Sequence, residues 1–163
     1  MNQKEIILDQ LEAMGFEPIE LGDIGYAFKY EDINYLYMPD DDDDQFLRIV
    51  IPHLFDVTEE NRVAVLEAMH ETCLMLKYAK VCIMYENTVW AIYEHRLTST
   101  DNLSMLLEHI IRVLEAVAHV FCGKINGEDV MDRLEECEDC SDEELEAELQ
   151  RMLDSIVEDE VDN

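Results

Sequence analysis

The residues best spaced for chemistry are His119-x2-Cys122 and Cys137-x2-Cys140, two pairs joined by a connector of 14 residues. One imidazole and three thiolates form a tetrahedral donor set for Zn²⁺, and pairs two residues apart suit a structural site. Such an ion would pin the acidic C-terminal part of the chain to the helix carrying His119 and offset repulsion there. Against this, His119 and Cys122 fall at i, i+3 on an expected helix, beside positions expected to be buried. Compact zinc sites usually take at least one pair from a tight turn. Unlinked thiols are the favoured reading, and no metal ligand is assigned. Cys137-Glu-Asp-Cys140 also has the form of a redox pair, but Glu135, Glu136, Glu138 and Asp139 would raise both thiol pKa values and suppress the thiolate.

Other candidates are weaker. Asp40 to Asp44 suggest calcium, yet an EF-hand loop starting at Asp40 needs glycine sixth and glutamate twelfth, where this chain has Gln45 and Ile51. A solvated hairpin turn is the better reading. His53, His70, His95, His109 and His119 are dispersed and match no metalloprotease or deaminase pattern. No serine or cysteine lies in a nucleophile elbow, and no glycine-rich phosphate loop is present. The expectation is a protein without catalytic, cofactor-binding or metal residues, and not an enzyme. One further set is notable: Tyr26, Phe28, Tyr30, Tyr35 and Tyr37 share one strand parity. They form either ordinary cross-strand packing, slightly favoured, or an exposed recognition surface.

Composition narrows the partners. The 163 residues carry a formal charge of −29, which argues against non-specific binding to nucleic acid or an anionic membrane. Solubility is the simplest use of such charge; a basic partner, or mimicry of nucleic acid, is permitted by it. No apolar run approaches the ~20 residues of a membrane span, and the N-terminus does not resemble a signal peptide. Five scattered cysteines fit reduced thiols better than a disulfide framework. A soluble, cytoplasmic protein is expected.

The elements that would position these residues centre on Lys80–Leu97. Val81–Tyr85 and Val89–Tyr93 alternate as β-formers around Glu86-Asn87-Thr88 and predict an antiparallel hairpin. Both of its faces are apolar, so both need cover: helices on one side and something else on the other. Before it, Lys4–Met14 predicts a helix stopped by Gly15, with Ile19–Leu21 as a possible short strand. Tyr26–Tyr30, Ile33–Met38 and Phe46–Ile51 predict a three-strand meander ended by Pro52. Thr58 is placed to cap a second helix with an inner face of Leu66, Met69, Cys73 and Leu76, and Val63 alongside. Ser99-Thr100-Asp101 offers caps for a third helix ending near Gly123.

That third helix carries Leu103, Leu107, Ile110, Leu114, Val117 and Phe121 on one seam, and Leu106, Val113 and Val120 on an adjacent one. This is wider than one apolar stripe, so cover is expected both from the sheet and from a second chain or the tail. From residue 127 onward the chain holds 17 acids against Arg133 and Arg151, about half the net charge. Within it, Leu145, Leu149, Met152 and Ile156 mark the apolar edge of an acidic helix at roughly 142–157 that docks on something. The organisation read from sequence is an α+β body over 1–125 and an acidic extension over 126–163.

The order α-β-β-β-α-β-β-α, with segments FLRIVIPHL, KVCIMYENTVWAIYEHRL and LLEHIIRVLEAV, resembles the type III secretion chaperone fold of the CesT or Tir chaperone class. It also resembles the related YbjN-type proteins, described as sensory transduction regulators. The resemblance covers about residues 3–125 and leaves the acidic tail unexplained. It implies an antiparallel sheet with helices mainly on one face, a homodimer in many members, and a protein-binding surface for extended clients. It supplies no catalytic residues. The function expected is a non-enzymatic bacterial protein-binding module of unknown client. The alternative is an acidic inhibitor, immunity protein or nucleic-acid mimic with a basic partner.

Overall fold

The computed structural model describes residues 2–127, 150 and 151. Helix α1 (Gln3–Ala13) begins in a capping box: the Asn2 side chain accepts from the Glu5 amide at 2.9 Å, and the Glu5 carboxylate accepts from the Asn2 amide at 3.0 Å. Strands β1 (Ile19–Glu20), β2 (Tyr26–Tyr30), β3 (Ile33–Tyr37) and β4 (Phe46–Asp56) follow. Next come α2 (Arg62–Met75), β5 (Ala79–Met84), a 3₁₀ turn (Tyr85–Asn87), β6 (Thr88–Arg96) and α3 (Leu103–Asn126). All pairings are antiparallel, in the order β1-β2-β3-β4-β6-β5. This is the expected α+β class, with the meander and hairpin paired side by side through β4 and β6.

Strand parity divides the sheet. One face (Phe28, Tyr35, Tyr37, Leu47, Ile49, Ala91) packs with Ile7 and Leu11 of α1, Val65 of α2 and the long seam of α3 into the main core. Leu107, Ile110, Leu114 and Phe121 are fully buried. The other face carries a second, smaller apolar cluster of Ala27, Leu36, Val50, Trp90 and Ile92, so both faces of the hairpin are indeed apolar and buried.

Four expectations need correction. Pro52 does not end β4: the strand runs on to Asp56 through a register shift between Ile51 and Phe55, where His53 takes φ 54°. Pairing with β3 has stopped at Val50 and pairing with β6 is interrupted, so the missing Pro52 N–H costs no ladder bond. Thr58 does not start α2. Its amide donates to Asn61 Oδ1 at 2.8 Å and its hydroxyl accepts from the Asn61 amide at 3.3 Å, closing a turn ahead of a helix that begins at Arg62. Gly123 does not end α3, where it is a buried position; the left-handed residue that closes the helix is Gly127, φ 64°. Finally, the inner face of α2 is Val65, Ala68 and Thr72, while Val63, Leu66 and Cys73 are exposed. Small residues there let α2 approach α3, to which it is tied at Glu71–Lys124, 3.1 Å.

The breadth of α3 has a local explanation: beyond the sheet, both α1 and α2 pack on it. Leu106 and Val113 of its second seam are half-buried against the main core.

Candidate protein-binding surface

Helix α2 is apolar on two sides, and its exposed side carries three of the five residues that sequence assigned inward: Val63, Leu66 and Cys73. Val63, Leu66, His70 and Cys73 fall at successive spacings of three and four and are all exposed. Leu74 (73% exposed) and Met75 (62%) extend the surface to the end of the helix. Met69 and Leu76, also assigned inward by sequence, are half-buried against the core. Lone exposed leucines are ordinary, but a run of large side chains along one helix is a marker of association.

The surface continues past the helix end. Tyr78 adopts φ 72°, a left-handed turn that reverses the chain between α2 and β5. This presents its ring at 69% exposure, 5.1 Å from His109 edge-on and 6.5 Å from Tyr93 in a stack. Burial, and then the neighbouring Tyr78, push the Tyr93 hydroxyl above its ordinary pKa. Met105, one turn before His109 on α3, is 68% exposed. An exposed amphipathic aromatic, together with exposed methionines on α2 and α3, is chemistry suited to protein contact. The helix is low in net charge: α2 holds two exposed acids, Glu67 and Glu71, and one exposed base, Arg62.

The tyrosine set resolves as packing. Tyr35, Tyr37 and Phe28 lie in the main core; Phe28 stacks on Tyr35 at 5.4 Å, and the Tyr35 hydroxyl donates to the Ile111 carbonyl at 3.4 Å. Burial pushes the Tyr35 and Tyr37 hydroxyls well above their ordinary pKa. Within the set, Tyr30 alone is exposed.

Of the zinc candidates, His119 lies on α3 with Nε2 3.7 Å from Glu115, beyond hydrogen-bond length, and Cys122 is half-buried against the core. Cys137 and Cys140 lie outside the described residues, as does all but Gln150 and Arg151 of the acidic helix expected at 142–157. Among the described residues no three His, Cys, Asp or Glu side chains are grouped to hold a metal. Asp40–Asp44 form an exposed turn, in which Asp40 and Asp43 carboxylates accept from the Asp42 and Gln45 amides. His53 lies 3.1 Å from Asp56 beside the β4 irregularity. No helix of the described residues is long and apolar enough to cross a membrane.

Among the described residues, an open antiparallel six-stranded sheet with three helices on one face defines an α+β fold, and that fold is like the one of YbjN. The chain is similar to the crystal structure of YbjN from E. coli, described as a candidate transcription regulator. The TM-score is 0.55 at 8% identity, over 72% of this chain and 87% of that one. It is also similar to an uncharacterised protein from Methanothermobacter thermautotrophicus, with TM-score 0.48 and 15% identity over 80% of this chain and 98% of that one. At 8% identity the likeness to YbjN is one of fold. No protein-family model and no curated protein matches the sequence.

Proposed function

We propose that this chain is a non-enzymatic protein-binding module that works as a homodimer in the cytoplasm, with the outer side of α2 and Tyr78 as its contact surface. The observation that carries this is the α2 seam: Val63, Leu66, Leu74 and Met75 face solvent while Val65, Ala68 and Thr72 are buried. For a chain of net charge −29, a second copy is repelled by most of the surface. The α2 seam is where that repulsion is weak and apolar burial is available. The resemblance to secretion chaperones and YbjN-type regulators supports a protein client over a small substrate. The same charge disfavours direct contact with DNA, so any regulatory role runs through protein partners.

The test is sedimentation of the wild type against Leu66→Glu/Leu74→Glu. The wild type should run at twice the 19.0 kDa chain mass, and the variant as a folded monomer. A wild type that stays monomeric at all concentrations, or a variant that stays dimeric, overturns the reading. The charge also favours a second reading, an acidic inhibitor or nucleic-acid mimic. Salt separates the two: binding to a basic partner weakens steeply with ionic strength, and apolar association does not.

A further inference from the structure

The second face of the sheet is buried without a described element to bury it. Ala27, Leu36, Val50 and Ile92 form one row across β2, β3, β4 and β6, in register. Leu36, Val50 and Ile92 are 1%, 0% and 3% exposed, and Trp90, on the next row, 1%. All the buried apolar residues of α1, α2 and α3 belong to the opposite core, and no residue of these three helices joins this cluster. Beyond the strands' own Met38, Cys82 and Met84, the described side chains packed here are Leu21 and Ile24 of the β1–β2 connection. Two side chains do not span a sheet of this width.

We propose that the acidic C-terminal segment 142–157 of this same chain lies across the second face as its cover. Three observations converge. Gln150 lines a groove of about 480 Å³ at the β1–β2 edge of the sheet, where Ala27, Lys29 and Asn34 of this face meet Phe16 and Phe28 of the main core. The 22 residues between Gly127 and Gln150 reach up to about 75 Å when extended, well beyond the ~30 Å width of a small domain. Charge is complementary as well: by strand parity Lys29, Arg48, Lys80 and Arg96 belong to this face, four of the nine bases before residue 127. Arg48 and Lys80 clamp Glu94 between them, at 2.9 and 2.8 Å. The segment offers Leu145, Leu149, Met152 and Ile156 to the apolar row and its carboxylates to the basic flank. Its self-repulsion is thereby relieved on the protein that carries it. This cover is independent of the α2 surface proposed above.

Trp90 is the chain's single tryptophan and reports on this face alone. In the full chain, Leu149→Asp/Met152→Asp should red-shift Trp90 emission and raise acrylamide quenching several-fold, with far-UV circular dichroism retained. A free peptide of residues 142–157, which contains no tryptophan, should reverse both. If the double variant fails to fold, Leu149→Ser carries the same readout. A folded variant whose Trp90 stays shielded, or one that the peptide does not restore, overturns the proposal. So does wild-type Trp90 emission that varies with protein concentration, because it would assign the cover to a second copy.

Discussion

Whether α2 turns Val65 or Leu74 to the core is a question with a large energetic answer. Val65 is fully buried and Leu74 is 73% exposed. Val65→Ala removes two carbons, worth about 1.6 kcal/mol of transfer free energy. A residual cavity adds up to about 1 kcal/mol, and the better helix propensity of alanine offsets about 0.5 kcal/mol. The expected loss is therefore about 2 kcal/mol. Leu74→Ala removes three carbons, worth about 2.4 kcal/mol if fully buried, but only about a quarter of that side chain is covered in the monomer. Its expected loss is about 0.6 kcal/mol. Urea unfolding at low protein concentration, where association is absent, measures both. At high concentration the Leu74→Ala loss should grow, because an interface stabilises the folded state by mass action. Equal losses for the two variants, or a larger one for Leu74→Ala at low concentration, would refute this orientation of α2 and with it the outward seam.

Two further outcomes test other parts of the structure. Gly25 sits at φ +147°, and a Cβ there would stand 2.1 Å from the Tyr37 carbonyl oxygen, so Gly25→Ala should cost about 3 kcal/mol or more in the same assay. Burial pushes the Glu94 carboxyl pKa up, but hydrogen bonds from Lys80 and Arg48 and their charges outweigh it and hold it below its ordinary 4.5. Because the folded value is depressed, this stabilisation is present above about pH 4.5 and is lost as pH falls through the folded pKa. The stability gap between the wild type and Glu94→Gln, followed by urea titration, should therefore narrow as the pH is lowered beneath that value. A gap that is constant with pH would contradict the clamp.

The strands were legible because alternation fixes both their existence and their faces. Tyr35, Leu36 and Tyr37 fall on the sides that period two assigns. The seam of α3 was legible for the same reason, at helical period. Helix α2 was not, because Val63, Leu66 and Leu74 compete with Val65, Ala68 and Thr72 for the inner face. The larger set wins any hydropathy argument, yet the smaller set permits close packing on α3. Only the approach of another element decides between them. Pro52 misled in a similar way, since a proline ends a strand only where its missing donor was needed. Tyr78 carried no sequence signal as a surface residue: its exposure follows from a left-handed turn at a bulky residue.

The central claim, that the outer side of α2 joins two copies of this chain, is tested most directly by native mass spectrometry of the untagged protein in reductant. A species of twice the 19.0 kDa chain mass that dissociates on Leu66→Glu/Leu74→Glu is the predicted result. A wild type found only as a single chain would contradict it.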